Sequence, residues 1–161
     1  MILFLDFDGV LHPDPCYDAS RLFENAPRLA HTLRDFPDVR LVLSTSWRQS
    51  RPYEHLLARL PVELRERVAG TTPTFGDFTP SAALVPYRRQ AECMHWMQQN
   101  QPTGEAWLAL DDRPSWFTPY CENLIACHPQ AGFDEHARGW LRSALQRHFR
   151  RQDSELDLPI G

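Results

Sequence analysis

Acidic and hydroxyl side chains follow three apolar runs of the chain, and these residue types could bind a cation and move protons. They are Asp6 and Asp8, then Ser44, Thr45 and Ser46, and then Asp111 and Asp112. Several carboxylates that converge on one point repel one another, so such a cluster is tolerable only with a cation among them. Hard oxygen ligands suit Mg²⁺. The aspartates therefore predict a magnesium site, provided that the fold brings them together.

Short apolar runs that alternate with helix-favouring stretches are the elements that must position these residues. Strands are predicted at 2–5, 39–43, 68–70, 106–110 and 123–127. Helices are predicted at 20–35 with Ser20 as the N-cap, 52–60, 61–67, 88–99 and 133–151, and an irregular loop at 71–86. This alternation favours an α/β fold with a mainly parallel sheet of five strands. In open parallel sheets ligands bind outside the carboxyl ends of the strands, so we expect the three polar groups to meet there.

Composition limits the function classes. The chain has 161 residues and a net charge of −4, which disfavours a strongly basic protein that coats nucleic acid, although a local basic patch is compatible with it. All 17 basic residues are arginine, so chemistry that needs a lysine amine is excluded. We expect one domain over residues 1–152 and a polar tail over 153–161.

Cysteine usage and the start of the chain bear on the compartment. None of the four cysteines forms a C-x-x-C pair, and reduced, packed thiols are the expected state. The segment 1–5 is apolar and then turns acidic, unlike a signal peptide, and no apolar run is as long as a membrane span. We therefore expect a soluble cytoplasmic protein without a membrane partner.

Four motifs in order resemble those of the haloacid dehalogenase (HAD) superfamily, in its phosphatase branch. They are Asp6-Phe7-Asp8-Gly9 after a strand, Ser44-Thr45 after a strand, Arg88-Arg89 opening a helix, and Asp111-Asp112 after a strand. The late segment 129–133 is similar to a loop of the same family. The run 44–48, together with Arg89, Glu92 and Trp96, resembles the small HAD domain of bacterial RNA-repair proteins.

The resemblance implies a three-layer α/β/α Rossmann-like fold and a phosphatase that forms an aspartyl phosphate. Asp6 is then the nucleophile, and Asp8 protonates the leaving oxygen and later activates water. Thr45 donates a hydrogen bond to a phosphoryl oxygen, and Arg89 supplies a permanent positive charge.

The same resemblance implies a ligand set and substrate contacts. Mg²⁺ is expected to be held by Asp6, the backbone carbonyl of Asp8, and Asp111, with Asp112 direct or one shell further out. Thr45 and Arg89 are expected to bind the substrate, as are Ser46 and Arg48.

Two motif positions stay open at the level of the sequence. Ser44 and Ser46 compete with Thr45, which is preferred because the family residue usually precedes a small polar residue. Arg88 competes with Arg89, which is preferred because it lies three residues before Glu92 on the same helical face.

The spacing between motifs bears on access to the site. Neither the interval from Asp6 to Thr45 nor that from Thr45 to Arg89 has room for a folded cap domain. An open site could admit a phosphate on a bulky partner, a nucleic-acid end among them, although the net charge does not point to nucleic acid.

Other classes remain to be weighed. A receiver domain conventionally needs a lysine that this chain lacks, and a toprim domain places its acidic residues in another order. A catalytically degenerate phosphate-binding or regulatory module of the same fold stays open. For His12 a loop hydrogen bond is expected, and for Trp47 and Trp116 packing rather than base stacking.

Overall fold

Five parallel strands form one sheet in the order β3-β2-β1-β4-β5. This description rests on a computed structural model that describes residues 1–101 and 103–156. The strands are β1 (Ile2–Leu5), β2 (Arg40–Leu43), β3 (Val68–Thr71), β4 (Trp107–Asp111) and β5 (Leu124–Ala126). The predicted α/β fold with a parallel sheet is confirmed, and β1 lies at its centre.

The α-helices pack on both faces of this sheet. They are α1 (Ala26–Leu33), α2 (Tyr53–Ala58), α3 (Val62–Arg65), α4 (Arg88–Asn100) and α5 (Glu135–Leu156). The result is the three-layer α/β/α arrangement that the motifs imply. Among the described residues, the intervals between the motifs hold only short helices, 3-10 turns and strands, and no inserted domain.

Alternation along β1 explains why both faces are covered. Successive strand residues point to opposite faces, and all four residues of β1 are buried. Ile2 and Phe4 pack with Cys93 and Trp96 of α4. The other two residues, leucines, pack in the core that α1, α2, α3 and α5 cover. A central strand buried on both faces reads as a continuous apolar run, as it does here.

Strand register brings the motif residues to one edge. Leu5 pairs with Leu43 on one side and with Leu110 on the other. Beyond this row, Ser44 donates its N–H to the Leu5 carbonyl at 2.8 Å, and Asp6 donates to the Leu110 carbonyl at 3.1 Å. The carboxyl ends of the three central strands therefore place the polar groups side by side.

The predicted helix over 20–35 is too long at its start, and Ser20 is not its cap. A short 3-10 turn at Ala19–Arg21 is capped by the side chain of Asp18, which accepts a hydrogen bond from the Ser20 N–H. Phe23 then adopts a left-handed φ of 61°, which no helix residue can have. The α-helix begins only at Ala26.

The C-terminal helix is longer than the sequence predicts. Its backbone continues to Leu156, past the predicted end at residue 151 and into the expected tail, of which residues 157–161 lie outside the described part. Over residues 1–101 and 103–156, no helix combines the length and apolar character needed to cross a membrane. All four cysteines are free thiols.

Candidate active site

Three buried carboxylates meet at the carboxyl edge of the sheet. Asp6, Asp111 and Asp112 each offer an oxygen, and these oxygens lie within 4.8 Å of one another. One further observation fits a cation here: Asp112 Oδ1 is buried without a hydrogen-bond partner among the described residues. An all-oxygen set of this kind suits Mg²⁺.

The pKa values of the cluster show the cost of holding these charges together. Burial first, and then the neighbouring Asp111 carboxylate, raise the pKa of Asp6 well above its usual value. Burial raises the pKa of Asp111 to about 6, although Arg89 opposes this shift. A bound divalent cation would favour the ionised forms that burial disfavours.

Gly9 makes room for the cluster. Its φ is +69°, a conformation that glycine adopts at little cost, and a Cβ at this position would lie 2.2 Å from Asp112 Oδ2. The glycine that follows the two aspartates of the first motif is therefore required by the position of the Asp112 carboxylate.

Arg89 is the arginine that enters the site. It is 3% exposed, its Nε lies 3.4 Å from Asp111 Oδ2, and its Nη2 lies 3.9 Å from Asp6 Oδ2. Burial lowers the pKa of Arg89, but Asp6 and Asp111 outweigh burial and raise it overall. Arg88 is exposed instead. Of the two candidates for the third motif, the geometry favours Arg89.

The hydroxyls of the second motif have different partners. Ser44 Oγ accepts a hydrogen bond from Arg89 Nη1 at 3.1 Å, whereas Thr45 Oγ1 accepts one from the Trp47 N–H at 3.3 Å. Both residues are buried. Each hydroxyl still has its hydrogen to donate, and Ser44 is the one that contacts the arginine beside Asp6.

Asp8 has partners of its own and does not belong to the group of three carboxylates. His12 Nε2 lies 2.9 Å from Asp8 Oδ1, and Trp47 Nε1 donates to Asp8 Oδ2 at 2.8 Å. The Phe23 N–H points at His12 Nδ1 at 3.4 Å, so the ring hydrogen belongs on Nε2 and is donated to Asp8. Asp6 and Asp8 were expected to face the same way, but their carboxylates contact different groups.

These two donors set the ionisation of Asp8. Burial raises its pKa, but the hydrogen bonds from His12 and Trp47 outweigh burial and leave the pKa lower than usual. Phe7 and Phe23 pack edge-on against the Trp47 ring at 5.8 and 5.6 Å between centroids and hold it in place. Asp8 is thus held as a carboxylate by an aromatic cluster.

Glu92 holds a second buried ion pair behind the site. Its Oε2 lies 2.8 Å from Arg48 Nη2 and 3.9 Å from Arg89 Nε. Its Oε1 accepts a hydrogen bond from the Phe75 N–H at 2.9 Å. Arg48 also donates to the Pro73 carbonyl at 3.0 Å. One glutamate therefore ties two of the predicted substrate-binding arginines to the loop that follows β3.

A cavity of about 180 Å³ adjoins the carboxylates, and three of the residues predicted to bind substrate line it. They are Ser46, Arg48 and Arg89, and Trp116 forms part of the wall. A larger surface cavity, of about 560 Å³, lies elsewhere, beside Trp107 at the start of β4. That position is the opposite edge of the sheet, away from the aspartates.

Comparison with protein families matches residues 2–137 to the HAD domain in Swiss Army Knife RNA repair proteins. The chain belongs to this family. The match spans all four motifs of the HAD domain and confirms the resemblance read from the sequence. Searches of curated proteins and of solved structures found no match.

Some contacts of this HAD domain were missed by reasoning from the sequence. Trp47 was expected only to pack, and His12 only to bond within its loop, yet both hydrogen-bond Asp8. The spacing of His12, four residues after Asp8, was the available signal. Nothing in the sequence indicates that Trp47, in another loop, reaches the same carboxylate.

Proposed function

We propose that this HAD domain is a Mg²⁺-dependent phosphatase that hydrolyses a phosphate monoester through a phosphorylated Asp6. The observation that carries this proposal is the convergence of three buried carboxylates with the guanidinium of Arg89. A nucleophile, a cation site and a fixed positive charge at one point are what phosphoryl transfer requires.

The acidic residues fit the metal that this family generally uses. The three carboxylates, with the backbone carbonyl of Asp8, would hold Mg²⁺. The bound ion would offset the negative charge of the phosphoryl oxygens. Arg89 stabilises the same charge from the other side, because it stays protonated at any working pH.

The chain supplies the groups for two successive displacements. In the first, an Asp6 oxygen attacks phosphorus, the bond from phosphorus to the ester oxygen breaks, and Asp8 gives its proton to the departing oxygen. In the second, Asp8 takes a proton from water as the water oxygen attacks phosphorus, and the bond to Asp6 breaks. Phosphate leaves and Asp6 returns to its starting form.

Asp8 and its two donors bear on the balance between these steps. The N–H groups of His12 and Trp47 favour the ionised carboxylate, which is the form that activates water. For the first step Asp8 must be protonated, so its environment makes leaving-group protonation the more demanding of its two roles. A leaving oxygen that is itself a weak base would need this proton least.

We further propose that the substrate is a phosphorylated nucleic-acid end and that the reaction takes place in the cytoplasm. The family supports the first point, because its members are domains of RNA repair proteins. The absence of an inserted cap among the described residues leaves the site open to a polymer. Free thiols are compatible with a reducing compartment.

A turnover assay tests the proposal. We expect the protein to release phosphate from an aryl phosphate or from 3′- or 5′-phosphorylated oligonucleotides with Mg²⁺, and to stop when a chelator is added. Asp6→Asn should lose this activity, and Asp38→Asn, an exposed aspartate elsewhere, should keep it. Absence of turnover on every substrate, or equal rates for Asp6→Asn and the wild type, would refute the assignment and favour a binding module.

A further inference from the structure

Beside the carboxylates, three guanidinium groups surround the indole ring of Trp116. The Cζ atoms of Arg88, Arg89 and Arg113 lie 5.1, 5.4 and 4.8 Å from the centre of the ring. Each contact is favourable by itself, but three like charges around one ring repel one another. An anion among them would relieve this repulsion.

The three arginines differ in how their charge is balanced. Arg89 faces Asp6 and Asp111, and Arg113 lies 3.3 Å from Asp14. Arg88 has no carboxylate within ion-pair distance among the residues that the structure describes, and its side chain is exposed. It is therefore the cation whose charge remains available to a ligand.

The adjoining cavity of about 180 Å³ is built to hold an anion. Arg88 and Arg89, the first two residues of the 13-residue helix α4, line it with Arg48. The first turn of this helix has no side-chain cap and no acidic residue, so its N–H groups and its dipole favour negative charge.

Arg48 adds an independent sign of a ligand. Its side chain is 7% exposed, and its Nε is buried without a hydrogen-bond partner among the described residues. A buried donor without an acceptor costs free energy, which an anion in the cavity would recover. Glu92 is the acidic residue of the wall, and its two oxygens already bind Arg48 and the Phe75 N–H.

We propose that this cavity is a second phosphate subsite that binds a phosphate on the leaving group of the substrate. The inference rests on the proposed function, and Arg89 is shared between the subsite and the site of Asp6. Guanidinium forks and helix N-termini are the groups that recognise phosphate. The substrate class is therefore a nucleoside that carries the scissile phosphate and a second phosphate, either a phosphodiester to the next nucleotide or a free phosphate.

Direct binding tests the subsite without requiring turnover. Calorimetry on Asp6→Asn with Mg²⁺ would compare a nucleoside monophosphate with two ligands: a dinucleotide bearing a terminal phosphate and a nucleoside 3′,5′-bisphosphate. We expect at least one of these two ligands to bind about tenfold more tightly than the monophosphate. The one that binds more tightly identifies the second phosphate as a diester or a free phosphate.

Paired variants assign this preference to the cavity. In the Asp6→Asn background, Arg88→Gln should reduce the preference about tenfold, whereas Arg147→Gln, which removes an exposed arginine of α5, should keep it. Equal affinity for all three ligands, no detectable binding, or a preference that survives Arg88→Gln would overturn the subsite. A preference for two phosphates in a protein whose wild type hydrolyses nothing would sustain the subsite and refute the phosphatase.

Discussion

The indole N–H of Trp47 donates a hydrogen bond to the Asp8 carboxylate at 2.8 Å, although the two residues lie 39 positions apart in the sequence. This bond joins the loop after β1 to the loop after β2. Trp47 also packs against Phe7, Phe23 and His12, so its ring has little freedom to move. The acid–base group of the proposed reaction is therefore positioned by a residue of the neighbouring motif.

Replacing Trp47 by phenylalanine tests this positioning. Trp47→Phe keeps an aromatic ring in the cluster but loses the N–H donor, so we expect kcat to fall about tenfold with a smaller change in KM. The pH dependence of kcat should also shift, because loss of a donor raises the pKa of Asp8. Trp140→Phe, on the exposed surface of α5, is the matched control and should behave as the wild type. An unchanged kcat and pH profile in Trp47→Phe would show that the bond has no role in catalysis.

A methyl group at Gly9 should displace a metal ligand. In Gly9→Ala the new Cβ would collide with the Asp112 carboxylate, and the residue would be strained at a φ of +69°. We expect weaker magnesium binding and at least a tenfold loss of turnover at fixed Mg²⁺. Gly139→Ala, in α5 with open space around its Cβ, should stabilise the protein by about 0.5–1 kcal/mol instead. Magnesium titrations and thermal melts distinguish these effects, and wild-type magnesium affinity in Gly9→Ala would contradict the placement of Asp112.

Magnesium should stabilise the fold, and more so at higher pH. Ligand binding to the native state alone stabilises by about 2.7 kcal/mol at 100 times Kd. Because burial raises the pKa of Asp111 to about 6, a proton competes with the ion below that pH. Without metal, a raised carboxyl pKa means that stability is present below the usual pKa near 4 and is lost as the pH rises through 6.

Thermal melts with and without Mg²⁺ at pH 5 and pH 7.5 measure both trends. We expect the Tm increase produced by Mg²⁺ to be clearly larger at pH 7.5. Asp112→Asn should reduce this increase, and Asp38→Asn should leave it unchanged. Identical Tm increases at the two pH values, or none at either, would count against a carboxylate metal site.

Arg89 should also matter for folding. Arg89→Met removes the cation that faces Asp6 and Asp111, and breaking a buried charge pair costs about 3–5 kcal/mol. The loss should be smaller at pH 5, where the two carboxyl groups are more often protonated. Arg40→Met, which breaks an exposed pair with Glu105, should cost at most about 1 kcal/mol. Urea unfolding measures both variants, and equal losses for the two would contradict the central position of Arg89.

The strands and the polar groups at their ends were predictable because the pattern is local. A buried parallel strand is a continuous apolar run, and the first polar residue after it marks the carboxyl edge. Thus Asp6 and Asp111 could be assigned to one edge from the sequence, as could Arg89 from its spacing to Glu92. The family membership was within reach for the same reason.

The features that were missed depend on contacts between distant segments. The helix predicted from residue 20 fails because Phe23 adopts a left-handed backbone that turns its N–H toward His12. The bond from Trp47 to Asp8 and the choice between Ser44 and Thr45 follow from loop positions that no periodicity encodes. These contacts surround the reacting groups, where local preference gives way to the requirements of a site.

The most direct test of the account is whether phosphate from the substrate becomes attached to Asp6. The measurement is an acid quench of the protein during turnover of a ³²P-phosphorylated oligonucleotide with Mg²⁺, followed by peptide mapping. The account predicts label on the peptide that contains Asp6 in the wild type, and neither label nor turnover in Asp6→Asn. Turnover by Asp6→Asn at the wild-type rate would contradict it.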